Sequence, residues 1–447
     1  MKSTVGWAQF KLRFLDRRAA SGLNSNCRSG LHSSCHNQRV SLREYAGDMS
    51  DPELVALPVG FERFHRRNFV NYQLNRAHAL GFADRHELAD AAAHVRSMDD
   101  CVTVFEAISS RAAAEARPRQ AAGYARIAEF FTPPHSAEKT NRYRLYLRLF
   151  GTAFADAVFV RHEVPYADAE LPAYALPAVG TRTGDTVLLH GGFDSLIEEF
   201  FPICQRVAAA GFDVIAFEGP GQGGARALNG LTFDHDWEKP VGAVLDHFRL
   251  DRAALVGISM GGYWALRAAG REPRIQSVVA WPPVYDWLHR VPPVLRGPVR
   301  AMLRHRRFMR WSVRTRARLF PTLRVVVDQV LYMLDSDDPV DVVDWFMGMN
   351  AEHLGSGRVN QDVLLMCGEH DVFQPPALAQ AQAKALTAAR SVTTRMFTLA
   401  EQADQHCQMG NLELACEVLT AWLNAAGTNG GVSRQYSDPS PEQTEPK

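Results

Sequence analysis

Residues 251–264 read DRAALVGISMGGYW. Residues 253–256 are a short apolar run of the kind that forms a buried strand, and residues 260–269 have helical spacing that ends at Gly270. The pentapeptide between them, Gly257-Ile258-Ser259-Met260-Gly261, is too short a pattern to carry weight alone. Its flanks supply the context: strand, sharp turn, helix. At such a turn the serine backbone is strained and its hydroxyl is exposed at the carboxyl end of a sheet. Gly257 and Gly261 let neighbouring backbone pass without a Cβ clash. Ser259 is therefore expected to be a nucleophile.

Working outward, strand-like segments fall at 145–150, 158–164, 186–190, 213–218, 253–258, 276–281, 362–367 and 393–399. From 186 onward helical patterns separate them, which implies an α/β fold with a doubly wound, mostly parallel sheet and a ligand site beyond the strands' carboxyl ends. Residues 51–140 read as a helical N-terminal region, with Phe61, Phe64, Phe69 and Tyr72 on one face and a Pro-Pro stop after GYARIAEFFTPP. Residues 283–350 interrupt the alternation with helical, Arg-rich sequence (RHRRFMRWSVRTRARLF) and read as an inserted helical cap. The core then comprises residues 141–282 and 351–426. The cap's basic run is expected to be a solvated helix face rather than an anion-binding surface.

A serine hydroxyl needs a base, and an imidazole held by a carboxylate is the usual solution. With this kind of elbow the acid and then the histidine follow the serine along the chain. In LLMCGEHDVFQPP an apolar strand is followed by Gly368, then Asp371, then Pro375 before a new helix, so Asp371 is the expected acid. Asp286, in WPPVYDW, is its rival, and Glu369 lies two residues away. The only histidine after Asp371 is His406, in EQADQHCQMG, and it is the expected base. Negative charge on the substrate oxygen calls for preorganised backbone N–H groups. One should be that of Met260, and the second that of Gly192 or Phe193, in the loop His190-Gly191-Gly192-Phe193. FEGPGQGG (217–224) lacks the spacing of a phosphate-binding loop, so no nucleotide cofactor is expected. Trp281, Tyr285 and Trp287 either line an aromatic-friendly substrate pocket or pack the cap on the sheet.

The composition sets bounds on partners and compartment. The 447 residues carry 49 Lys plus Arg against 49 Asp plus Glu, which gives no support to nucleic acid as a partner. No apolar stretch approaches the length of a membrane span. A small-molecule substrate, no nucleic-acid or membrane partner and a cytoplasmic location are the expectations, with a homodimer as one option for an oligomeric state that the sequence leaves open. The seven cysteines are scattered without a C-x-x-C pair, so neither a disulfide framework nor a metal site is implied. Residues 1–50 are basic, with seven Lys or Arg but only Asp16 as an acid up to residue 40, and are expected to be disordered. Their composition is matched by an organelle transit peptide, but also by a translation start placed upstream of Met49. Residues 427–447 read as a disordered tail.

The chain resembles an α/β-hydrolase-fold serine hydrolase. More narrowly, HGGFDSLIEEF, AFEGPGQGG, DHDWEKP and GISMGGYWALRAA, with a helical region before the sheet, resemble a subgroup containing 2,6-dihydroxypseudooxynicotine hydrolase and the fungal hydrolases that shorten polyketide pigment precursors. The resemblance covers about residues 55–425. It implies cleavage of a carbon–carbon bond next to a ketone for the subgroup, and of esters, thioesters or amides for the wider family. Ser259, Asp371 and His406 match the family's catalytic positions, while Glu218 stands where many members carry Asp. A non-catalytic binding or regulatory protein on the same scaffold is the alternative, and it usually lacks one of the three residues, all present here.

Overall fold

The computed structural model describes residues 53–428; the expectations for residues 1–50 and for the tail beyond 428 lie outside them. Five helices come first: α1 (Asn68–Ala79), α2 (Arg85–Ala93), α3 (Met98–Ala114), α4 (Pro118–Phe131) and α5 (Ala137–Ala153). Local chemistry starts several of them. Asp84 caps α2 by accepting from the N–H groups of His86 and Glu87, Ser97 and Asp100 form a reciprocal capping box on α3, and proline opens α4. These helices bury a core of their own around Leu74, Phe105, Tyr124 and Ile127.

The eight strands are β1 (Val160–Tyr166), β2 (Ala169–Leu176), β3 (Thr186–His190), β4 (Asp213–Phe217), β5 (Ala253–Ile258), β6 (Ile275–Trp281), β7 (Asp362–Gly368) and β8 (Ser391–Phe397). They form one sheet in the order β1-β2-β4-β3-β5-β6-β7-β8. β1 and β2 are antiparallel to each other and β2 to β4; the remaining pairs are parallel. Its central strands are buried on both faces, as parallel strands between helical layers must be. Leu188, Leu255, Val278 and Val363 face the layer of α8 (Glu238–Phe248) and α9 (Gly261–Ala269). Val187, Leu189, Val256 and Leu364 face the layer of α6 (Phe201–Ala209) and α16 (Leu412–Thr428). The short α7 (Gly223–Ala227) follows β4.

Four longer helices lie between β6 and β7: α10 (Pro293–Leu303), α11 (Arg306–Leu319), α12 (Pro321–Leu334) and α13 (Pro339–Gly348). The short α14 (Ala351–Leu354) leads back to β7, and α15 (Pro376–Ala385) joins β7 to β8. No helix among the described residues is long and apolar enough to cross a membrane.

Three expectations need correction. Residues 145–150 are not a strand but the last turns of α5, where Tyr143, Tyr146 and Phe150 are buried on one face. The alternating Leu145, Leu147 and Leu149 imitate a strand, yet the helical period places the bulkier aromatics in the core. Phe61 and Phe64 precede the first helix rather than lying on it. β2 was missed because Pro172 in AELPAYAL reads as an interruption.

Candidate active site

Ser259 stands between β5 and α9 at φ +59°, a left-handed backbone that non-glycine residues seldom adopt. The surroundings hold it there. A Cβ on Gly257 would lie 2.1 Å from the carbonyl oxygen of Gly261, and one on Gly262 would lie 2.2 Å from that of Pro282, so side chains at either position would force the turn open. The Ser259 hydroxyl is 2.9 Å from His406 Nε2, and His406 Nδ1 is 2.7 Å from Asp371 Oδ2. Asp371 Oδ1 accepts from the N–H groups of Phe373 (2.9 Å) and Gln374 (2.8 Å), which fixes the carboxylate's rotation.

The two loops that bring acid and imidazole together touch backbone to backbone. A Cβ on Gly368 would lie 2.3 Å from the carbonyl oxygen of Asp404, and His370 N–H donates to that same oxygen. Burial pushes the His406 imidazole down, but the charge and hydrogen bond of Asp371, with Cys407 acting in the same direction, hold it well above its ordinary value. The rival acids are engaged elsewhere. Asp286 caps the turn that follows it, accepting from Leu288 N–H at 2.8 Å, and Glu369 accepts from Leu399 N–H at 2.6 Å.

The loop after β3 runs alongside this turn. A Cβ on Gly192 would lie 2.7 Å from Met260 N and 2.9 Å from Ser259 Cβ. Gly192 N–H donates to Ser195 Oγ at 3.0 Å. Of the two residues expected to offer the second donor, Phe193 is thus the one whose N–H has no acceptor among the described residues; Met260 N–H has none either.

Residues 186–408, from β3 to the turn that carries His406, match the model of the alpha/beta hydrolase family. The chain belongs to that family. Among curated relatives it is 36% identical over 167 residues to the hydrolyase poxO of Penicillium oxalicum, covering 34% of this chain and 38% of that one. It is 37% identical over 146 residues to the 20-hydroxy-prefusarin hydrolase of Gibberella moniliformis, covering 29% and 35%. The matched region thus spans little more than a third of these relatives' length. Among solved structures, 2,6-dihydroxy-pseudo-oxynicotine hydrolase superposes with a TM-score of 0.55 at 19% identity, covering 80% of this chain and 96% of that one. The structure titled AbyA5 wildtype gives 0.59 at 19% identity, covering 76% and 90%. At that identity the likeness is one of fold.

In this α/β hydrolase the helical N-terminal region reaches the site itself, which the sequence pattern did not reveal. Tyr72 of α1 donates to the His406 carbonyl oxygen (3.4 Å), and the rings of Tyr72 and Phe373 lie 5.7 and 5.1 Å from that of His406. Arg76, one turn further along α1, donates to Asp194 Oδ1 at 3.0 Å and pairs with Glu199. Arg126 of α4 donates to Glu199 Oε1 (2.6 Å) and to the Asp194 carbonyl oxygen, and it pairs with Glu129, which Lys139 also contacts at 2.7 Å. Arg76, Arg126, Glu129, Lys139 and Glu199 are all buried. They tie the loop that carries Phe193 to α1, α4 and α5. From the other side, Gln222 of the FEGPGQGG loop donates to the carbonyl oxygens of Gly191 (3.0 Å) and Gly192 (2.7 Å). The only sequence signal for this frame was charge inside otherwise apolar helices, as at Arg126 and Glu129 in GYARIAEFF.

Glu218 is a brace as well. Its two carboxyl oxygens accept from Ile197 N–H (3.2 Å) and Gly224 N–H (2.5 Å), and burial together with the neighbouring Glu198 carboxyl pushes it up to about 8.

The three aromatics divide. Trp281 is wholly buried against the sheet and donates to Gln408 Oε1. Tyr285 contacts His289, and Trp287 lies edge-on to Phe346 of α13, so both pack the base of the cap. A cavity of about 40 Å³, room for about one water, lies beside Phe193 and is lined by Arg126, Glu129, Lys139, Tyr143 and Gln222, among others. Trp345 of α13 leans on the Phe193 ring at 5.5 Å, so the cap rests directly on the donor loop.

Proposed function

We propose that this chain is a serine hydrolase of small to medium acyl or β-dicarbonyl substrates. The observation that carries the reading is the continuous hydrogen-bonded chain from Ser259 Oγ through His406 to Asp371, anchored at a left-handed serine. Ser259 Oγ attacks the substrate carbonyl carbon as His406 Nε2 takes the hydroxyl proton, and Asp371 holds the ring and the imidazolium charge. The N–H groups of Met260 and Phe193 receive the oxyanion. Collapse of the tetrahedral intermediate expels the leaving group, which takes the proton from His406 Nε2. Water, deprotonated by the same nitrogen, then releases the acid and restores Ser259.

Nothing in this sequence of steps requires a heteroatom leaving group. A carbanion stabilised by an adjacent ketone can depart if His406 protonates it, so the same machinery serves esters, thioesters, amides and the carbon–carbon bond of a β-diketone. The hydrolase names of the similar fungal proteins support hydrolysis and leave the bond open. A panel of aryl esters assayed beside aryl β-diketones tests the reading. Turnover of either set that disappears in Ser259→Ala supports it; ester turnover with inert diketones removes the carbon–carbon option, and turnover that survives Ser259→Ala refutes the proposal.

A further inference from the structure

The cap carries a surface that hydrolysis does not use. Between residues 287 and 334 the chain has eleven arginines, no lysine and a single acid, Asp328. Arg307, Arg314 and Arg318 follow one another along the outer face of α11 and, with Trp311, line an open groove. Arg300, Arg304, Arg307, Arg314, Arg316 and Arg318 have no carboxylate within ion-pair distance among the described residues. Apolar side chains stand beside them in water: Trp311 is 62% exposed and Val294 82%, and Phe308, Leu295, Met302, Leu319 and Phe320 are exposed too. No residue of α10 is buried. α11 turns only Met309 and Ser312 fully inward.

We propose that α10 and α11 dock the cap on an anionic membrane surface. A solvated face, the expectation from the charge run alone, would carry arginines without seven large apolar side chains among them. Arg307, Trp311, Arg314 and Arg318 share one exposed face of α11, and guanidinium beside aromatic and aliphatic groups matches the headgroup–acyl boundary, where phosphates meet the first methylenes. The length of the helices allows contact with the surface only, since none can span a bilayer. The nearest acids of the cap do not compete, because Asp338, Asp341 and Asp344 already engage Arg306 and Arg310. A second copy of the same face would set arginine against arginine. None of these residues takes part in the proposed chemistry, so the inference stands whether or not Ser259 is a nucleophile.

Flotation of the full chain with phosphatidylcholine vesicles, with and without phosphatidylserine, tests it, using the triple variant Arg307→Glu/Arg314→Glu/Arg318→Glu and the single variant Trp311→Ala. Each arginine at an anionic surface contributes about fivefold to partitioning, so reversing three should weaken binding at least about a hundredfold. Expected are flotation only with phosphatidylserine, weakening in high salt, loss in the triple variant and partial loss in Trp311→Ala, all with native circular dichroism. Should the triple variant misfold, Trp311→Ala and the salt series carry the test. Failure of the wild type to float with phosphatidylserine vesicles overturns the proposal, as does undiminished flotation of a folded triple variant. Retention on RNA without flotation, or a dimer that the same variants dissociate, would assign the surface to another partner and overturn it equally.

Discussion

Gly192→Ala perturbs the proposed oxyanion donors while leaving Ser259, His406 and Asp371 themselves unsubstituted. An added Cβ would meet Met260 N at 2.7 Å, the Ile258 carbonyl oxygen at 2.8 Å and Ser259 Cβ at 2.9 Å, all inside the distance that real Cβ atoms tolerate. Two of the three are backbone atoms of the nucleophile turn and cannot rotate away, so the loop must retreat by several tenths of an ångström. That retreat carries Phe193 N–H away from Met260 N–H. A donor moved out of hydrogen-bond range costs about a hundred- to a thousandfold in kcat, about 3 kcal/mol or more. Because these donors meet charge that exists only in the transition state, KM should change little. The assay is steady-state hydrolysis of an aryl ester that the wild type turns over, with circular dichroism to confirm the fold. Gly297→Ala, at a position in α10 with open space around it, is the control and should be silent. A folded Gly192→Ala protein with wild-type kcat would refute the donor assignment.

The remaining predictions concern charge and burial. Asp371→Asn should lower kcat by roughly four orders of magnitude, while Asp286→Asn, whose carboxylate caps a turn and accepts from Ala351 N–H, should keep at least about a tenth of wild-type turnover; the reverse pattern in the same ester assay would move the acid. His406 must be neutral to accept the serine proton, and its pKa is raised, so kcat/KM should be lost as pH falls through a value above the ordinary 6.5 and recover above it. Asp371 is the chief cause raising it, so residual activity of Asp371→Asn should have this limb at lower pH; a pH profile with an unmoved limb would contradict the assignment. Arg126→Met leaves Glu199 and Glu129 short of a buried partner and should cost about 3–5 kcal/mol in urea unfolding. An unchanged unfolding midpoint would mean that the buried ion cluster does not hold the donor loop.

The parts of this account that were legible in the sequence are those written in local pattern. β3 and β5 were bounded correctly because short apolar runs, Val187–Leu189 and Ala253–Val256, each followed within two residues by glycine, have few other fates. Ser259, Asp371 and His406, which the structure brings into one hydrogen-bonded chain, could be picked out because each follows a strand, with the Gly368 and Pro375 loop favouring Asp371 over Asp286. What resisted reading depends on distant partners. The strand-like alternation in α5 was overridden by Phe201, Phe154 and Phe82, which gather around Phe150 from three separate segments. Tyr72, Arg76 and Arg126 sit far upstream of the elbow, and no local spacing announces that the first meets His406 or that the two arginines hold the loop after β3. The same holds for Gln222, whose carbonyl partners are set by the neighbouring strand rather than by its own glycine-rich loop.

The central claim is that Ser259 is an activated nucleophile, and covalent labelling tests it most directly. Incubation of the full chain with a fluorophosphonate probe, followed by peptide mass spectrometry, should give one adduct on the peptide containing Ser259. Labelling should vanish in Ser259→Ala and slow sharply in His406→Ala, because the hydroxyl would lose the base 2.9 Å away. A folded wild-type protein that does not label, or that labels on another residue with Ser259 unmodified, would contradict the account.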